Sequence, residues 1–387
     1  MTTNTLTDLI PDLYAALDIV SRELVGMIPA VTFDGGVSRA AVDQQVVVPV
    51  VPSSNAMVDA TPAMAIPAEA DQTIGNVKLT ISKSKVVPFS WNGEEQRGLN
   101  TGAGYLPIRA NQMAQAMRTL VNAVETDLTA LQSTFSRAYG TAATTPFATN
   151  TAGATNVRKI LVDNGAPLSD ASLVLDTTAG AALRTLMNTN STRIADLPVT
   201  EQGIIQRISD LNIRESGQAV TQTAGAMASA TTSSAALTVG QTVLPLATAG
   251  TGVVAAGDII TLANDTNQYV VTSVSFAGSN PASGDTITIA APGIRKAQGV
   301  ATRAITVIAT SARNMAFARS AIVLATRLPE RPQEGDLALD VMTITDPRSG
   351  LSFEVAIYGG YRKVRYEIGL AWGVKNIKPE HTALLIG

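Results

Sequence analysis

The sequence predicts an α+β protein of two or three domains from which one extended arm projects. Three observations lead to this prediction. The chain has 387 residues, one stretch of two-residue periodicity that is far longer than an ordinary strand, and a long helical pattern that precedes a separate region of short strands. A chain of this length can bury more than one hydrophobic core.

The composition indicates a chain whose surface is largely covered by copies of itself. Charged residues make up only 15%, against about 25% in an ordinary soluble domain, and a surface with few charges usually marks contacts. The net charge of −3 is too balanced for strong attraction to nucleic acid or an anionic membrane. Cysteine is absent, which excludes disulfides and thiolate chemistry and fits synthesis in a reducing cytoplasm.

Targeting segments are not indicated either. No run of about twenty apolar residues is present, so we expect no membrane-spanning helix. The N-terminal "MTTNTLTDLIPDLY" lacks the basic and then apolar layout of a signal peptide. The first segment, residues 1–35, is instead predicted to contain an amphipathic helix over residues 6–25, and the following "FDGGVSRAAVDQ" is predicted as a turn region.

Residues 36–92 are predicted to form the arm, a long antiparallel hairpin. Its first limb is the β-branched run "QVVVPVVP" (45–52), whose prolines restrict it to an edge. Its second limb is one strand over residues 76–91, roughly 50 Å long at about 3.3 Å per residue. One face of that strand carries Val77, Leu79, Ile81, Lys83, Lys85, Val87, Phe89 and Trp91. A two-stranded ribbon is marginal in water, so the arm needs another surface to lie on; the alternative is a bent strand pair inside one domain.

The next segment, residues 93–142, is predicted to hold one long helix over residues 106–139. Pro107 suits the first turn of that helix and Gly140 suits its end. The expected apolar stripe consists of Met113, Met117, Leu120, Val124, Leu128, Leu131, Phe135 and Ala138.

Residues 143–222 read as an α/β segment after a polar linker. The pattern predicts a helix and then a turn at "NVRKILVDNGAP", a short buried strand at "ASLVLD", a helix at "TAGAALRTLMN", and further strand or mixed structure at "GIIQRIS" and "LNIRES".

Residues 223–308 predict a small β-barrel inserted between the α/β parts. After a stretch of small polar residues come five short strands, "TVLPLA", "DIITLA", "QYVVTSV", "DTITIA" and "RAITVI". Two of them open on the same dipeptide, Gly257-Asp258 and Gly284-Asp285.

Residues 309–387 complete the chain. "ATSARNMAFARSAIVLATRLPE" is predicted as a helix or a buried strand, and a strand pair follows around a turn at Gly359-Gly360. In the second of these strands Val364, Tyr366, Ile368 and Leu370 face one way, while Lys363 and Arg365 face the other, as in a half-buried sheet.

No catalytic, cofactor or metal site is predicted. His381 is the only histidine and lacks cysteine partners, so a surface or packing role is favoured over a zinc ligand or a triad member. Glu94 and Glu95 are adjacent and fit a solvated helix start better than an acid/base pair. "AGTGVVAAGD" lacks the Lys-Ser/Thr of a phosphate loop and fits a turn between strands.

Two further groups have both a functional and a structural interpretation. Asp258, Asn264 and Asp265 could ligate calcium, but their spacing matches no calcium loop, and turn chemistry is favoured. "YGGYRKVRYE" combines three cations with tyrosines, which is compatible with nucleic acid, yet its alternation is also that of the outer face of a strand.

Taken in order, these segments resemble the major capsid (coat) proteins of tailed bacteriophages with the Hong Kong-type fold, in the branch that carries an inserted β-barrel. The resemblance rests on three stretches: residues 46–95 for the extended loop, "NMAFARSAIVLATRLP", and "DPRSGLSFEVAIYGGYRKVRYEIGLAWGVKNIKPEHTALL" for the closing strands. It implies an N-terminal arm (1–35), an extended loop (36–92), a peripheral domain with a spine helix (93–142), an axial domain (143–222 and 309–387, the latter with closing strands that return to the peripheral domain) and the inserted barrel (223–308).

The resemblance also implies a function. Such a protein self-assembles as pentamers and hexamers into the icosahedral head that encloses double-stranded DNA, is located in the virion, and is assembled in the bacterial cytoplasm. Its partners would be further copies of itself, a portal protein, a decoration protein, and a separate scaffolding protein, since the family's fused scaffold segment of about a hundred residues is not seen here. The assembly interface would include Met57, Met64, Lys83, Lys85, Phe89 and Trp91.

Three alternatives are weighed against this function. An encapsulin-type nanocompartment shares the fold but does not account for the inserted barrel. A phage tail or fibre adhesin fits the Ala/Thr/Gly-rich β segments but not the long helix and single arm. An enzyme is third, because no nucleophile, base or metal cluster stands out.

Overall fold

The computed structural model describes residues 25–50, 75–99, 105–190, 207–332, 335–347 and 349–387. The predicted N-terminal helix and the tip of the arm, with Met57 and Met64, lie outside these residues. The α-helices are α1 Gly93–Leu99, α2 Tyr105–Ala130, α3 Ala152–Asp163 and α4 Thr177–Asn190. The strands are β1 Thr32–Ala40, β2 Gln45–Val50, β3 Gly75–Thr80, β4 Lys83–Asn92, β5 Arg137–Gly140, β6 Ala171–Leu175, β7 Arg207–Ile208, β8 Leu211–Glu215, β9 Thr221–Gln222, β10 Val243–Pro245, β11 Ile259–Leu262, β12 Gln268–Ser275, β13 Thr286–Ile289, β14 Ile305–Val307, β15 Ser311–Ala318, β16 Ile322–Pro329, β17 Ala338–Thr345, β18 Ser352–Gly360, β19 Lys363–Asn376 and β20 Thr382–Ile386.

The long helix α2 packs on a six-stranded sheet made of β1, β16, β19, β18, β17 and β4. Apolar residues of α2 recur every three or four positions, which places them on the face that meets the sheet. Met113, Met117 and Val124 on α2 are fully buried in the same core as Ile368 and Trp372 on β19. The predicted apolar stripe of the helix is confirmed in this core.

The predicted end of that helix is wrong. Helix α2 ends at Ala130, a 3₁₀ turn covers Leu131–Thr134, and the chain continues as β5. Phe135 and Ala138 are buried as expected, but they reach the core outside the helix. The reason is long-range pairing, because β5 lies between β20 and β12, and a local helical pattern cannot reveal these partners.

The second sheet has twelve strands and joins the α/β segment to the region of short strands. Strand β6 is buried at all five positions, between β15 and β8, and helices α3 and α4 share a core with it. The predicted helices α3 and α4 and the strand β6 are confirmed. At 203–216, where strand or mixed structure was predicted, β7 and β8 form a hairpin, with residues 203–206 outside the described part.

The five short strands predicted within 223–308 are all present, as β10 to β14. Pairing runs β10–β13–β12–β11–β14, and single bridges from Thr231 to Ala304 and from Thr232 to Leu246 connect the two ends of this row. The pairings therefore form a ring, called here the barrel, around a separate cluster of buried residues that includes Leu244, Ile260 and Ile287. Strand β12 also pairs with β5 through Gln268 and Tyr269, which links the barrel to the rest of the sheet.

Two local predictions are corrected by long-range pairing. "FDGGVSRAAVDQ" is mostly strand rather than turn, because β1 pairs in parallel with β16, with an irregularity between Gly35 and Arg39. The closing hairpin turns at Tyr361 and Arg362, since Gly360 already pairs with Lys363. Gly359 lies within β18, where a Cβ atom would be 3.1 Å from Cδ1 of Leu339.

The predictions for the remaining C-terminal strands had three different outcomes. The segment predicted as helix or buried strand is strand, in β15 and β16. The face assignment in β19 is confirmed, with Tyr366, Ile368 and Leu370 buried and Lys363 and Arg365 exposed. Strands β17 and β20 were not predicted. Among the described helices, none combines the length and apolarity that crossing a membrane would require.

Candidate functional site

The arm predicted as one continuous strand consists of two strands that belong to different sheets. Strand β3 pairs with β2 alone among the described strands, whereas β4 pairs over ten residues with β19. The change occurs at Ile81 and Ser82. The prediction of a single long strand is therefore wrong. The second half of the predicted limb, β4, belongs to the six-stranded sheet that packs on α2, as the bent-strand alternative proposed; these elements and the rest of the chain outside the ribbon and the barrel are called the body below. Only β2 and β3 form a two-stranded ribbon.

Backbone hydrogen bonds fix the bend. The amide of Asp43 donates to the carbonyl of Ile81 at 2.9 Å, and the amide of Ile81 donates to the carbonyl of Gln44 at 2.9 Å. The next amide, that of Ser82, donates to the carbonyl of Trp372 in β19 at 3.1 Å. The amide of Ile81 thus bonds to the segment that leads into β2, whereas the amide of the next residue, Ser82, bonds to β19. The chain therefore bends between these residues, while successive side chains continue to alternate between the inward and the outward face.

A glycine in β19 makes room for this bend. A Cβ atom on Gly373 would lie 2.1 Å from the carbonyl oxygen of Thr80, well inside van der Waals contact. Any other residue at this position would push β3 away from the sheet.

A carboxylate on the long helix ties the bend to the body. Asp127 in α2 accepts a hydrogen bond from Nζ of Lys83 at 2.6 Å and from Nε1 of Trp372 at 2.8 Å. Trp372 is fully buried, so its indole N–H needs an acceptor, and Asp127 supplies it. Lys83, which the sequence placed near an intersubunit surface, therefore has its partner within the chain.

The other predicted interface residues of β4 divide into two groups. Phe89 stacks on Tyr366 with the ring centroids 5.3 Å apart, and Nε1 of Trp91 donates to Oε1 of Gln112 at 2.8 Å, so both side chains are half-buried against the rest of their own chain. Lys85 is exposed, although it alternates on the same face of β4 as Lys83 and Val87. Their place in an assembly stays a prediction.

The ribbon becomes more exposed with distance from the bend. Leu79 and Ile81 are buried beside Val323, Ala325 and other sheet residues. Further out, Val47 is 53% exposed and Lys78 is also exposed. The base of the ribbon is thus anchored in a small apolar core, while its outer part contacts little of the chain that the structure describes.

A second anchor holds residues 26–28, within the N-terminal segment, and sequence reasoning missed it. The fully buried carboxylate of Glu125 in α2 accepts backbone N–H bonds from Gly26 and Met27, each at 2.7 Å, and from Ile28 at 3.1 Å. The hydroxyl of Ser216 donates to it at 2.8 Å. A signal existed in the sequence, because a charged residue four positions after Val121 lies within the apolar stripe of the helix.

The carboxylates considered in the sequence analysis as possible acid/base or calcium-binding groups have structural hydrogen-bond partners. Asn92 and Glu95 form a reciprocal cap at the start of α1, with N–H bonds of 3.0 and 2.8 Å, which confirms the helix-start interpretation. Oδ2 of Asp258 accepts the amides of Ala255 and Gly225, at 2.7 and 3.0 Å, as in ordinary turn chemistry. Oδ2 of Asp265 accepts the Tyr269 hydroxyl at 2.7 Å. Within the described ranges, no group of three or more His, Cys, Asp and Glu side chains could hold a metal ion.

His381 and the basic cluster are also accounted for. His381 lies half-buried in a short 3₁₀ helix, and burial lowers the pKa of its imidazole, with Glu380 opposing and Lys378 reinforcing the shift. In the basic cluster, Arg365 forms an ion pair with Glu367 on its own strand. This pair reduces the positive charge that the cluster presents.

No protein-family model matches the sequence, and no curated protein is similar to it. Solved structures that are similar to the chain over most of its length include the following three. A structure of Mycobacterium phage Che8 has 13% identity and a TM-score of 0.44, covering 96% of this chain and 90% of that one. The capsid structure of the cyanophage P-SCSP1u has 9% identity and a TM-score of 0.48, covering 95% and 89%. A virus-like particle from Pyrococcus furiosus has 9% identity and a TM-score of 0.40, covering 98% of each.

Proposed function

We propose that this chain is the major capsid protein of a tailed phage, which assembles through pentamers and hexamers into an icosahedral head around double-stranded DNA. The observation that carries the proposal is the ribbon of β2 and β3, which is anchored at its base and pairs with no third strand among the described residues. A two-stranded ribbon is marginally stable in water unless another surface supports it. A neighbouring copy of the same chain would provide that surface.

Exposed apolar groups and unpaired edges support contacts between copies. Val47 on the ribbon and Val86 on β4 are 53% and 45% exposed. Among the described strands β4 pairs with β19 alone, and an edge without a strand partner is a place where a neighbouring chain can add contacts. The low content of charged residues, 15%, favours the same conclusion.

We assign the parts of the chain in keeping with this role. Within residues 36–92, the ribbon and the residues between its strands (45–80) serve as the extended loop. Helix α2 serves as the spine helix, 143–222 and 309–387 as the axial domain with closing strands, and 223–308 as the inserted barrel. Lys85, with Met57 and Met64 of the loop tip, is proposed to contact the neighbouring subunit directly. Lys83, Phe89 and Trp91 then act beneath that contact by holding β4 on α2 and β19.

The proposed partners follow from the same role. They are other copies of the chain, a separate scaffolding protein, a portal protein and a decoration protein, in a virion assembled in the host cytoplasm. Binding to DNA is expected to be weak and non-specific, because the net charge is −3. Such weak binding is expected to come from the exposed side chains of Arg362, Lys363 and Arg365, although Glu367 partly neutralises Arg365. Sequence-specific, sub-micromolar binding in a filter assay at physiological salt would contradict this role.

Electron microscopy of the protein purified with its scaffolding partner tests the proposal. Closed shells are expected, and monomers alone under all conditions would refute it. Deleting residues 53–75 should leave the subunit folded by circular dichroism but prevent shell formation. A point variant sharpens the test: Val47→Asp on the ribbon should block assembly, whereas Val300→Asp, at a 78% exposed position in the barrel region, should not. Normal shells from Val47→Asp would exclude the ribbon from the interface.

A further inference from the structure

A buried polar cluster lies where the chain enters and leaves the barrel. It contains Gln132 in the 3₁₀ turn after α2, Gln222 in β9, Asp258 immediately before β11, and Ser311 and Arg313 in β15. All except Gln222 are at least nine-tenths buried. The cluster therefore joins the body, the two connecting segments and the barrel at one place.

Short contacts bring these elements together. Nε2 of Gln132 donates to Oε1 of Gln222 at 2.8 Å, and Gln222 pairs with Ser311 across β9 and β15. A Cβ atom on Gly257, the residue before Asp258, would be 3.0 Å from Oε1 of Gln222 and 3.1 Å from Nε2 of Gln132. The turn of the barrel thus sits directly on the two glutamines.

Several polar atoms in this cluster have no hydrogen-bond partner in the described part of the chain. They are Nε, Nη1 and Nη2 of Arg313, Oδ1 of Asp258, Oε1 of Gln132 and Oγ of Ser311. Arg313 is only 1% exposed. Burial lowers the pKa of Arg313 to about 10 and the attraction of Asp258 opposes that shift, so the guanidinium is charged at neutral pH. A buried charge with no partner is strongly destabilising, and native proteins satisfy such groups.

The unpartnered atoms specify the chemistry of what would satisfy them. The three nitrogens of Arg313 only donate, the oxygens of Asp258 and Gln132 only accept, and the hydroxyl of Ser311 does both. An anion would suit Arg313 but would be repelled by Asp258, and a cation would face the opposite conflict. Water donates and accepts, and a buried water makes about three hydrogen bonds, so about two waters match the six atoms.

We propose that a buried cluster of about two water molecules bridges Arg313 in β15 to Asp258 in the barrel and to Gln132 after α2, and thereby holds the barrel at a fixed orientation on the body. This site is independent of whether the chain forms a shell. Ordered water fills the site, and the residues that bind it belong to the segment after α2, to the barrel and to β15.

The barrel contains its own comparison for this site. The second Gly-Asp turn repeats the first, but both oxygens of Asp285 are occupied: Oδ2 accepts the amide of Ala282 at 2.8 Å and Oδ1 accepts the amide of Ala277 at 2.9 Å. Only Oδ2 of Asp258 is used in this way. The Gly257-Asp258 turn, at the polar cluster, therefore differs from the Gly284-Asp285 turn in having one carboxylate oxygen, Oδ1 of Asp258, without a described partner.

A crystal or cryo-electron microscopy structure of the full chain, at a resolution that shows ordered water, tests the proposal directly. Density peaks within hydrogen-bond distance of both Arg313 and Asp258 are expected. A guanidinium that pairs directly with Asp258 and leaves no such peaks would overturn the proposal. So would an anomalous signal beside Arg313 after a bromide soak, because it would identify the occupant as an anion.

A mutant cycle supplies a second readout. Arg313→Met and Asp258→Asn should each lower the folding equilibrium constant of the chain. The folding constant of the double variant should be at least tenfold higher than the value obtained by multiplying the two single effects. Asp285→Asn is the matched control and should show no coupling to Arg313→Met. Independent effects of Arg313→Met and Asp258→Asn would refute the bridge, and if Arg313→Met does not fold, the density measurement decides alone.

Discussion

The buried carboxylate of Glu125 allows a quantitative prediction for Glu125→Gln. The substitution keeps the shape of the side chain but replaces one oxygen by an NH₂ group. Oε1 accepts from Gly26, Met27 and Ser216, while Oε2 accepts from Ile28 alone among the described residues. The amide should therefore place its oxygen at the first position and its nitrogen against the amide of Ile28, so that two donors face each other.

The expected loss follows from these bonds. A hydrogen bond to a charged group contributes about 1.5–3 kcal/mol and a neutral one about 0.5–1.5 kcal/mol, so three weakened bonds cost about 3 kcal/mol. The unpaired amide of Ile28 adds about 1–3 kcal/mol. Removing a buried charge offsets part of this sum. A net destabilisation of about 3 kcal/mol is expected, more than a hundredfold in the folding equilibrium.

Urea denaturation followed by tryptophan fluorescence measures this loss, since Trp372 is buried in the same core as α2. Hydrogen exchange gives a local readout: the amides of Gly26, Met27 and Ile28 should lose protection by about the same factor. Glu94→Gln is the control, because Glu94 is exposed on α1 and a surface change of this kind stays within about 0.5 kcal/mol. A Glu125→Gln protein with unchanged midpoint and protected amides would refute the anchor.

Three further predictions concern the bend, the histidine and the barrel. Gly373→Ala should destabilise the base of the ribbon by about 2 kcal/mol or more through overpacking against Thr80, while Gly299→Ala, in open space, should be neutral; equal urea midpoints for the two variants would contradict the close approach. Because the folded pKa of His381 lies below its unfolded value, its neutral form is favoured by folding, and stability should fall as the pH drops through about 6.5. His381→Gln should abolish this part of the pH dependence between pH 7 and pH 5.5, and an unchanged slope would exclude His381 as its source. A fragment of residues 223–308 should melt cooperatively with a β-type circular dichroism spectrum, and a disordered spectrum would exclude an independent barrel.

Sequence reasoning succeeded where an element is defined by its own residues. The barrel strands are short, apolar and opened by turns, so β11 and β13 could be located from Gly-Asp and the alternation that follows. The stripe of α2 was visible for the same reason. Both signals are local and need no knowledge of the partner.

It failed where a distant partner decides the structure. The alternation from Val77 to Trp91 continues through Ile81 and Ser82, because a strand that changes sheets need not change which side chains face inward. Strand β1 exists through pairing with β16, nearly three hundred residues later. The partner of Lys83, Asp127, lies on another element 44 residues away, so the polar contact at the bend could not be foreseen.

The ring of strands in the barrel has a consequence for the order of folding. Strand β15 pairs with β6, Met315 opposite Val174, although the whole barrel lies between them in sequence. If the barrel closes first, it brings its two ends together and removes roughly half of the loop that this pairing must close. Each halving of a loop lowers the entropic cost of closure by about 0.6 kcal/mol, so an early barrel should speed docking of β15 on β6 by roughly threefold. The barrel, which separates β6 from β15 in sequence, would then accelerate the formation of the sheet in which these two strands pair.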